Sequence, residues 1–282
     1  MSSPSSSVLQ ARQALGQRLR EIRLDSGLTA RALAVLCGWH ESKCSRIEHG
    51  RTPPSDADLR AWTLHCGAQD QTAELVAAAR GIDGMYIEWR RLERAGLKAA
   101  QESVTPLFDR TRRFRAYASW LIPGPLQTAA YTRALLAATA RARGHDDDVE
   151  DAVAVRMERQ RILYEGDHRF AVLVEEHVLR KVIGGPRVMV GQLGHLVEVG
   201  VLPTVSLGIV PDAADRSMMR PVEGFWIFDD VQVNVELVSA YLTVTQPREV
   251  AMYAKTFAAM AGMAVYGAPA RQIVTSAINA IG

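Results

Sequence analysis

Three short runs of helical periodicity, each stopped by a glycine, fill residues 15–50 and leave few folds open to the chain. Apolar residues recur at Leu15, Leu19 and Ile22, the i, i+4, i+7 spacing of one helix face, and Asp25-Ser26-Gly27 ends the run. Thr29 can cap a second helix of about two turns, with Leu33, Ala34, Leu36 and Cys37 inward, before Gly38 breaks it. From Glu41 to His49 a third helix turns Cys44 and Ile47 inward, leaving Ser42, Lys43, Ser45 and Arg46 outward, and Gly50 closes it. Pro53-Pro54 is a rigid break, and Ser55 with Asp58 has the S-x-x-D spacing of a capping box before a fourth helix through Leu59, Trp62 and Cys66. A fifth helix is expected from about Asp70 to Arg80, with Gly81-Ile82-Asp83-Gly84 as a hinge. Helices this short must bury their faces on one another, which predicts an all-α five-helix domain over residues 15–84 behind a disordered Ser-rich tail, residues 1–14.

Past the hinge the periodicity changes. Helices are expected at Glu88–Gln101, Leu126–Ala142 and Asp146–Tyr164, and a strand or extended arm at Arg112–Leu121. Phe170–Val174 and Thr204–Val210 are short apolar runs of the kind that buried strands show. Pro186 sits where the first residue of a helix ending near Gly200 would lie. Val222–Phe228 and Val231–Val238 flank Asp229-Asp230, and the second run alternates apolar and polar residues, a hairpin signature. Helices after Pro247 and Pro269 close the chain. The fold class is therefore α+β: an all-α domain, then a mixed α/β domain over residues 85–282.

Two short helices joined by Gly38-Trp39-His40 have the size of a helix-turn-helix, whose later helix lies in the DNA major groove and reads donor and acceptor patterns on base edges. Leu19-Arg20, Thr29, Leu33-Ala34, Gly38 and the run Ser42-Lys43-Cys44-Ser45-Arg46-Ile47-Glu48-His49-Gly50 resemble the Xre/Cro-type repressors, with their lambda-repressor-like fold. The resemblance implies double-stranded DNA as partner, with Thr29 and Arg31 meeting phosphates, Glu41, Ser42, Lys43, Ser45 and Arg46 facing the groove, and Arg51 meeting the backbone. It also implies a structural ion pair between Arg20 and Glu48, while Arg18 and Arg23 read as solvated helix-face residues. Glu41 stands where many such repressors have glutamine; it can accept from a cytosine amino group or repel phosphate. Lys43 can meet a phosphate or a guanine.

Composition narrows the rest. A formal charge of +2 calls for no polyanion over the whole surface, so any DNA site must be local. No apolar run has the ~18 residues of a membrane span, and a cytoplasmic protein without membrane attachment is expected. Cys37, Cys44 and Cys66 read as small core hydrophobes, since with His40, His49 and His65 they lack the paired spacing of a zinc site. No metal or cofactor is expected. Glu175, Glu176 and His177 could do acid–base chemistry, but negative charge opening a helix explains them as well, and no nucleophile motif or phosphate-binding loop accompanies them; no enzyme is expected.

A second pattern spans about residues 88–282. Leu121-Ile122-Pro123-Gly124-Pro125-Leu126-Gln127-Thr128 with Tyr131 and Arg133, then Arg156-x-x-Arg159-Gln160, Val174-Glu175-Glu176-x-x-Leu179-Arg180, Gly184-Gly185 and Gln192-Leu193, resembles the C-terminal domain of actinobacterial WhiJ-like, antitoxin-like regulators. That resemblance implies a small partner protein encoded nearby; the leading reading is a domain that dimerises and receives a small-protein or small-molecule signal, and the alternative is an antitoxin-like protein that binds a small co-encoded partner and uses DNA for autoregulation. Arg156, Arg159, Arg161 and Arg169 could receive an anion, though arginines on such a helix are usually solvated or paired with acids. Trp226, Phe225 and Phe228 read as core. The closing apolar residues Met252, Phe257, Met260, Met263, Val265, Ile273, Ile278 and Ile281 offer surface for a homodimer or complete the monomer's own core.

Overall fold

The computed structural model describes residues 4–88, 95–144, 148–217, 219–238 and 240–281. Packing divides the chain into residues 1–87 with Ala240–Leu242, and residues 88–239 with 243–282.

The N-terminal unit is built of α1 (Pro4–Asp25), α2 (Ala30–Leu36), α3 (Glu41–Glu48), α4 (Asp56–His65) and α5 (Thr72–Met85), followed by the short strand β1 (Tyr86–Glu88). Leu15, Leu19 and Ile22 of α1 are buried with Leu33, Ala34, Cys44, Ile47, Leu59 and Trp62, as the periodicity requires. Trp62 adds an indole N–H that donates to the carbonyl of Leu19 at 3.0 Å. Leu36, expected inside, is half exposed because α2 ends there. Two further expectations are corrected. The segment expected to be a disordered tail is helical from Pro4, and the Gly81–Gly84 hinge is instead the last part of α5. Glycine in a helix costs only about 1 kcal/mol, and Ile82, buried within the segment, holds it in place.

The C-terminal region contains α6 (Gly96–Arg110), β2 (Arg113–Ala118), α7 (Ala129–Arg143), α8 (Val149–Glu158), β3 (Arg169–Glu175), α9 (Pro186–Val199), β4 (Val205–Val210), β5 (Phe225–Phe228), β6 (Gln232–Glu236), β7 (Ala240–Val244), α10 (Pro247–Met263), β8 (Val265–Tyr266) and α11 (Gly267–Ile281). Its mixed seven-stranded sheet has the order β7-β6-β5-β2-β3-β4-β8. Strands β2, β3 and β4 are parallel, with Phe114 opposite Phe170 and Phe170 opposite Val205, while β5 runs antiparallel to β2 and β6, and β8 antiparallel to β4. Phe114 and Phe170 stack at 4.4 Å, and Phe108, Trp226 and Phe228 surround them. The expected β5–β6 hairpin forms, but Phe228 pairs with Gln232, so its loop has three residues and takes in Val231, expected in the second strand; Asp229 and Asp230 both have positive φ, 49° and 60°, and the Asp229 carboxylate accepts the N–H of Arg113 at 2.7 Å. Of the expected helix at Glu88–Gln101, residues 89–94 lie outside the described residues; α6 itself continues to Arg110. Phe257 and Met260 are buried, and Ile273, Ile278 and Ile281 pack on the core, so these closing residues serve the monomer. No helix among the described residues is long and apolar enough to cross a membrane.

Candidate nucleic-acid interface

Helix α3 begins at a cap made by His40, whose Nδ1 accepts the N–H of Ser42 at 3.3 Å and lies 2.9 Å from the Ser42 hydroxyl. The helix ends where the N–H of Gly50 donates to the carbonyl of Ile47 at 2.9 Å and that of Arg51 to the carbonyl of Arg46 at 2.8 Å. Between these ends Cys44, Ile47 and Glu48 are buried. Glu41, Ser42, Ser45 and Arg46 are exposed on the opposite side. Thr29 caps α2, its hydroxyl accepting the N–H of Ala32 at 3.1 Å, and Arg31 and Arg51 are exposed as well. Glu41, Arg31, Arg46 and Arg51 make no side-chain hydrogen bond or ion pair among the described residues, so these charges stand open to solvent.

Lys43 is the exception among the expected groove residues. It is half-buried, with its ammonium 2.6 Å from Asp58 Oδ1 and 4.7 Å from the centre of the Trp39 ring. Asp58 in turn completes the capping box of α4: its carboxylate accepts the N–H of Ser55 at 3.1 Å while its own N–H donates to the Ser55 hydroxyl at 3.2 Å. Burial acts to raise the Asp58 carboxyl, but the Lys43 ammonium and the Ser55 donors overcome it and hold the group below its ordinary value. In the free protein Lys43 thus ties α3 to α4.

The expected Arg20–Glu48 pair is not formed. Glu48 pairs with Arg23, whose Nε and Nη2 lie 2.5 and 3.1 Å from its two carboxylate oxygens, while Arg23 Nη1 donates to the carbonyl of Leu28 at 2.7 Å. Arg20 is exposed, and Arg23, expected on the solvated face, is only 6% exposed. Helix phase explains the exchange: at ~100° per residue Arg23 flanks the Leu15, Leu19, Ile22 stripe and Arg20 lies near the opposite side. The pair seats α3 on α1, and close backbone packing does the rest. A Cβ at Gly16 would stand 2.5 Å from the carbonyl oxygen of Ile47, and one at Gly50, whose φ is 65°, would stand 2.8 Å from the nitrogen of Gln13.

Cys44 is buried, and Cys37 and Cys66 are half-buried at the ends of α2 and α4; burial pushes the Cys37 thiol up to about 11 and Cys44 to about 12. In the C-terminal region Glu175 is buried, accepting the Tyr117 hydroxyl at 2.6 Å and Arg216 at 2.5 Å. Glu176 opens a short 3-10 helix, Glu176–Arg180, and pairs with Arg180 at 2.9 Å. His177 Nε2 lies 2.9 Å from the carbonyl oxygen of Ser119. Phe225 and Phe228 are core residues, as expected. Arg161 pairs with Glu158 and Asp109 in the manner expected of a helix surface, whereas Arg156 and Arg159 turn into the domain and bond to Gln101 and Gln127. That convergence was not legible in the sequence as a site, because it joins residues from three separate elements.

Two family models match the chain: a helix-turn-helix domain over residues 14–76, and a domain of unknown function, DUF5753, over residues 108–276. No curated protein matches it. A solved structure of TrmBL2, an archaeal chromatin protein described as showing a novel mode of DNA binding, aligns at 10% identity over 85% of this chain and 88% of that one, with a TM-score of 0.32.

Proposed function

We propose, from the premise that the chain belongs to the DUF5753 family and carries a helix-turn-helix domain ahead of that region, that it is a sequence-specific DNA-binding regulator of the Xre/Cro type. The observation behind this reading is the set of open side chains on and around α3: Glu41, Ser42, Ser45 and Arg46, with Arg31 and Arg51 on either side. A helix of this width enters the major groove, and short polar side chains near its start reach base edges. In this reading Ser42 and Glu41 contribute discrimination, Arg46, Arg31, Arg51 and the Thr29 end of α2 hold the phosphates, and Lys43 positions α3 through Asp58. The C-terminal region, similar in its motifs to WhiJ-like regulators, dimerises the protein and receives a signal, and the protein works in the cytoplasm without enzymatic activity of its own. One α3 spans only a few base pairs, so two joined copies supply the specificity that one lacks.

Selection from a random duplex pool with the full chain tests this. A recurring motif should emerge, and Glu41→Gln should change the base preferred at one position of it. A pool that stays random, or a motif that neither Glu41→Gln nor Ser42→Ala alters, overturns the assignment of α3 as the reading element.

A further inference from the structure

Strands β2 and β3 present a basic corner on one face of the sheet. Their parallel register sets Arg113 opposite Arg169 and Arg115 opposite Ala171, and β4 continues the second row with Ser206 opposite Ala171. In-register neighbours point to one side, and the bond from the Tyr117 hydroxyl to Glu175 at 2.6 Å, further along the same strands, lies on that side too. Helix α10 packs across β4, β5 and β6, and the Arg115 guanidinium lies 5.9 Å from the centre of its Phe257 ring. Arg115 marks the edge of that cover. Its side chain is 26% exposed, that of Arg113 is 69% exposed, and Arg169 and Ser206 are exposed as well.

Packing does not explain this corner. Parallel strands are ordinarily covered on both faces, and here the first residues of β2 and β3 are open on one. Neighbouring strands lie about 4.8 Å apart, so Arg113 and Arg169 stand side by side as like charges. The nearby acids leave positive charge over. Asp230 pairs with both Arg113, at 3.3 Å, and Arg115, while the Asp229 carboxylate accepts the backbone N–H groups of Arg112 and Arg113 at 3.1 and 2.7 Å. Among the described residues no carboxylate lies within ion-pair distance of Arg112 or Arg169, both exposed. A small ligand is ordinarily held in a concave site that buries most of its surface, and these side chains stand open. Open guanidinium groups along a strand suit an extended polyanion: a duplex carries one charge per ~1.7 Å of its axis, so a row of arginines about 7 Å long meets phosphates whatever the sequence.

We infer that the Arg113–Arg115–Arg169 corner makes a second, sequence-independent contact with the phosphate backbone of duplex DNA. The inference rests on the reading of the chain as a DNA-binding protein, since the helix-turn-helix domain is what brings a duplex to it. Binding of the full chain to a duplex of random sequence is measured across a salt series. The double change Arg113→Gln, Arg169→Gln should lower the slope of log affinity against log salt by about 1.8, at ~0.9 for each lost phosphate contact, and leave the melt unchanged because both positions are exposed. Arg187→Gln, at an exposed arginine of α9 outside the corner, should leave the slope as it is. No binding to the random duplex, an unchanged slope in the double variant, or an equal fall with Arg187→Gln overturns the proposal. Should the double variant fail to fold, the single changes decide: a fall of about 0.9 in each supports the contact, and no fall in either overturns it. Binding to a random duplex needs no base reading, so a failure of α3 as the reading element, seen as Arg46→Ala binding a selected duplex as tightly as the unaltered protein, leaves this measurement decisive.

Discussion

Arg23 shows how one residue can decide the geometry of the interface. A buried ion pair that loses one partner leaves the other charge stranded, at a cost of about 3–5 kcal/mol. Arg23→Ala should lower the stability of the N-terminal unit by that order in urea titrations, whereas Arg20→Ala, at an exposed position, should change it by less than ~0.5 kcal/mol. Equal losses would contradict the assignment. The residue types in the Leu19-Arg20 and Glu48 pattern pointed to a pair between α1 and α3, but the choice of arginine required the phase of α1. Asp58 makes a pH-dependent prediction. Its folded value is depressed, so it contributes stability above the ordinary aspartate value that is lost as pH falls through the folded value. Asp58→Asn should flatten the acid limb of a stability-versus-pH curve and, through the lost Lys43 and Ser55 bonds, cost ~1–2 kcal/mol near neutrality. An acid limb identical to that of the unaltered protein would contradict it.

At the scale of elements, the seating of α3 on α1 depends on Gly16. Gly16→Ala places a methyl group against the Ile47 carbonyl, where backbone must move, and should destabilise the unit by about 1–3 kcal/mol and weaken DNA binding together. Thermal melts and gel shifts on one preparation check both; an unchanged melt would show that α1 and α3 pack less closely than described. The short helices were legible because Gly27, Gly38 and Gly50 end them and inner faces of two to four residues define them. The β5–β6 hairpin was legible for the same kind of reason, an apolar run before Asp229-Asp230 and an alternating one after it. Strand β7 was missed although Ala240, Leu242 and Val244 are buried and Tyr241 and Thr243 are partly open, an alternation of period two in a run too short to stand out between Val238 and Pro247. The Gly81–Gly84 segment misled in the other direction, because local glycine content says nothing of the burial of Ile82 that keeps α5 continuous.

For the whole molecule, the candidate interface was readable in the sequence to the level of the face, since exposed positions of a short helix follow from its buried ones. Lys43 escaped that logic because Asp58, fifteen residues away, draws it inward. The proposed dimer predicts that light scattering of the full chain at micromolar concentration gives twice the 30.9 kDa monomer mass, although Phe257, Met260 and the closing isoleucines are already used inside one copy. A monomer that still binds a single half-site tightly would contradict it. The central claim, that the open face of α3 meets DNA, is tested most directly by measuring Kd for one selected duplex across a salt series with the full chain and with Arg46→Ala. The account predicts weaker binding, an unchanged melt, and a fall of about 0.9 in the slope of log affinity against log salt for the lost phosphate contact. Identical affinity and slope in the two proteins would contradict it.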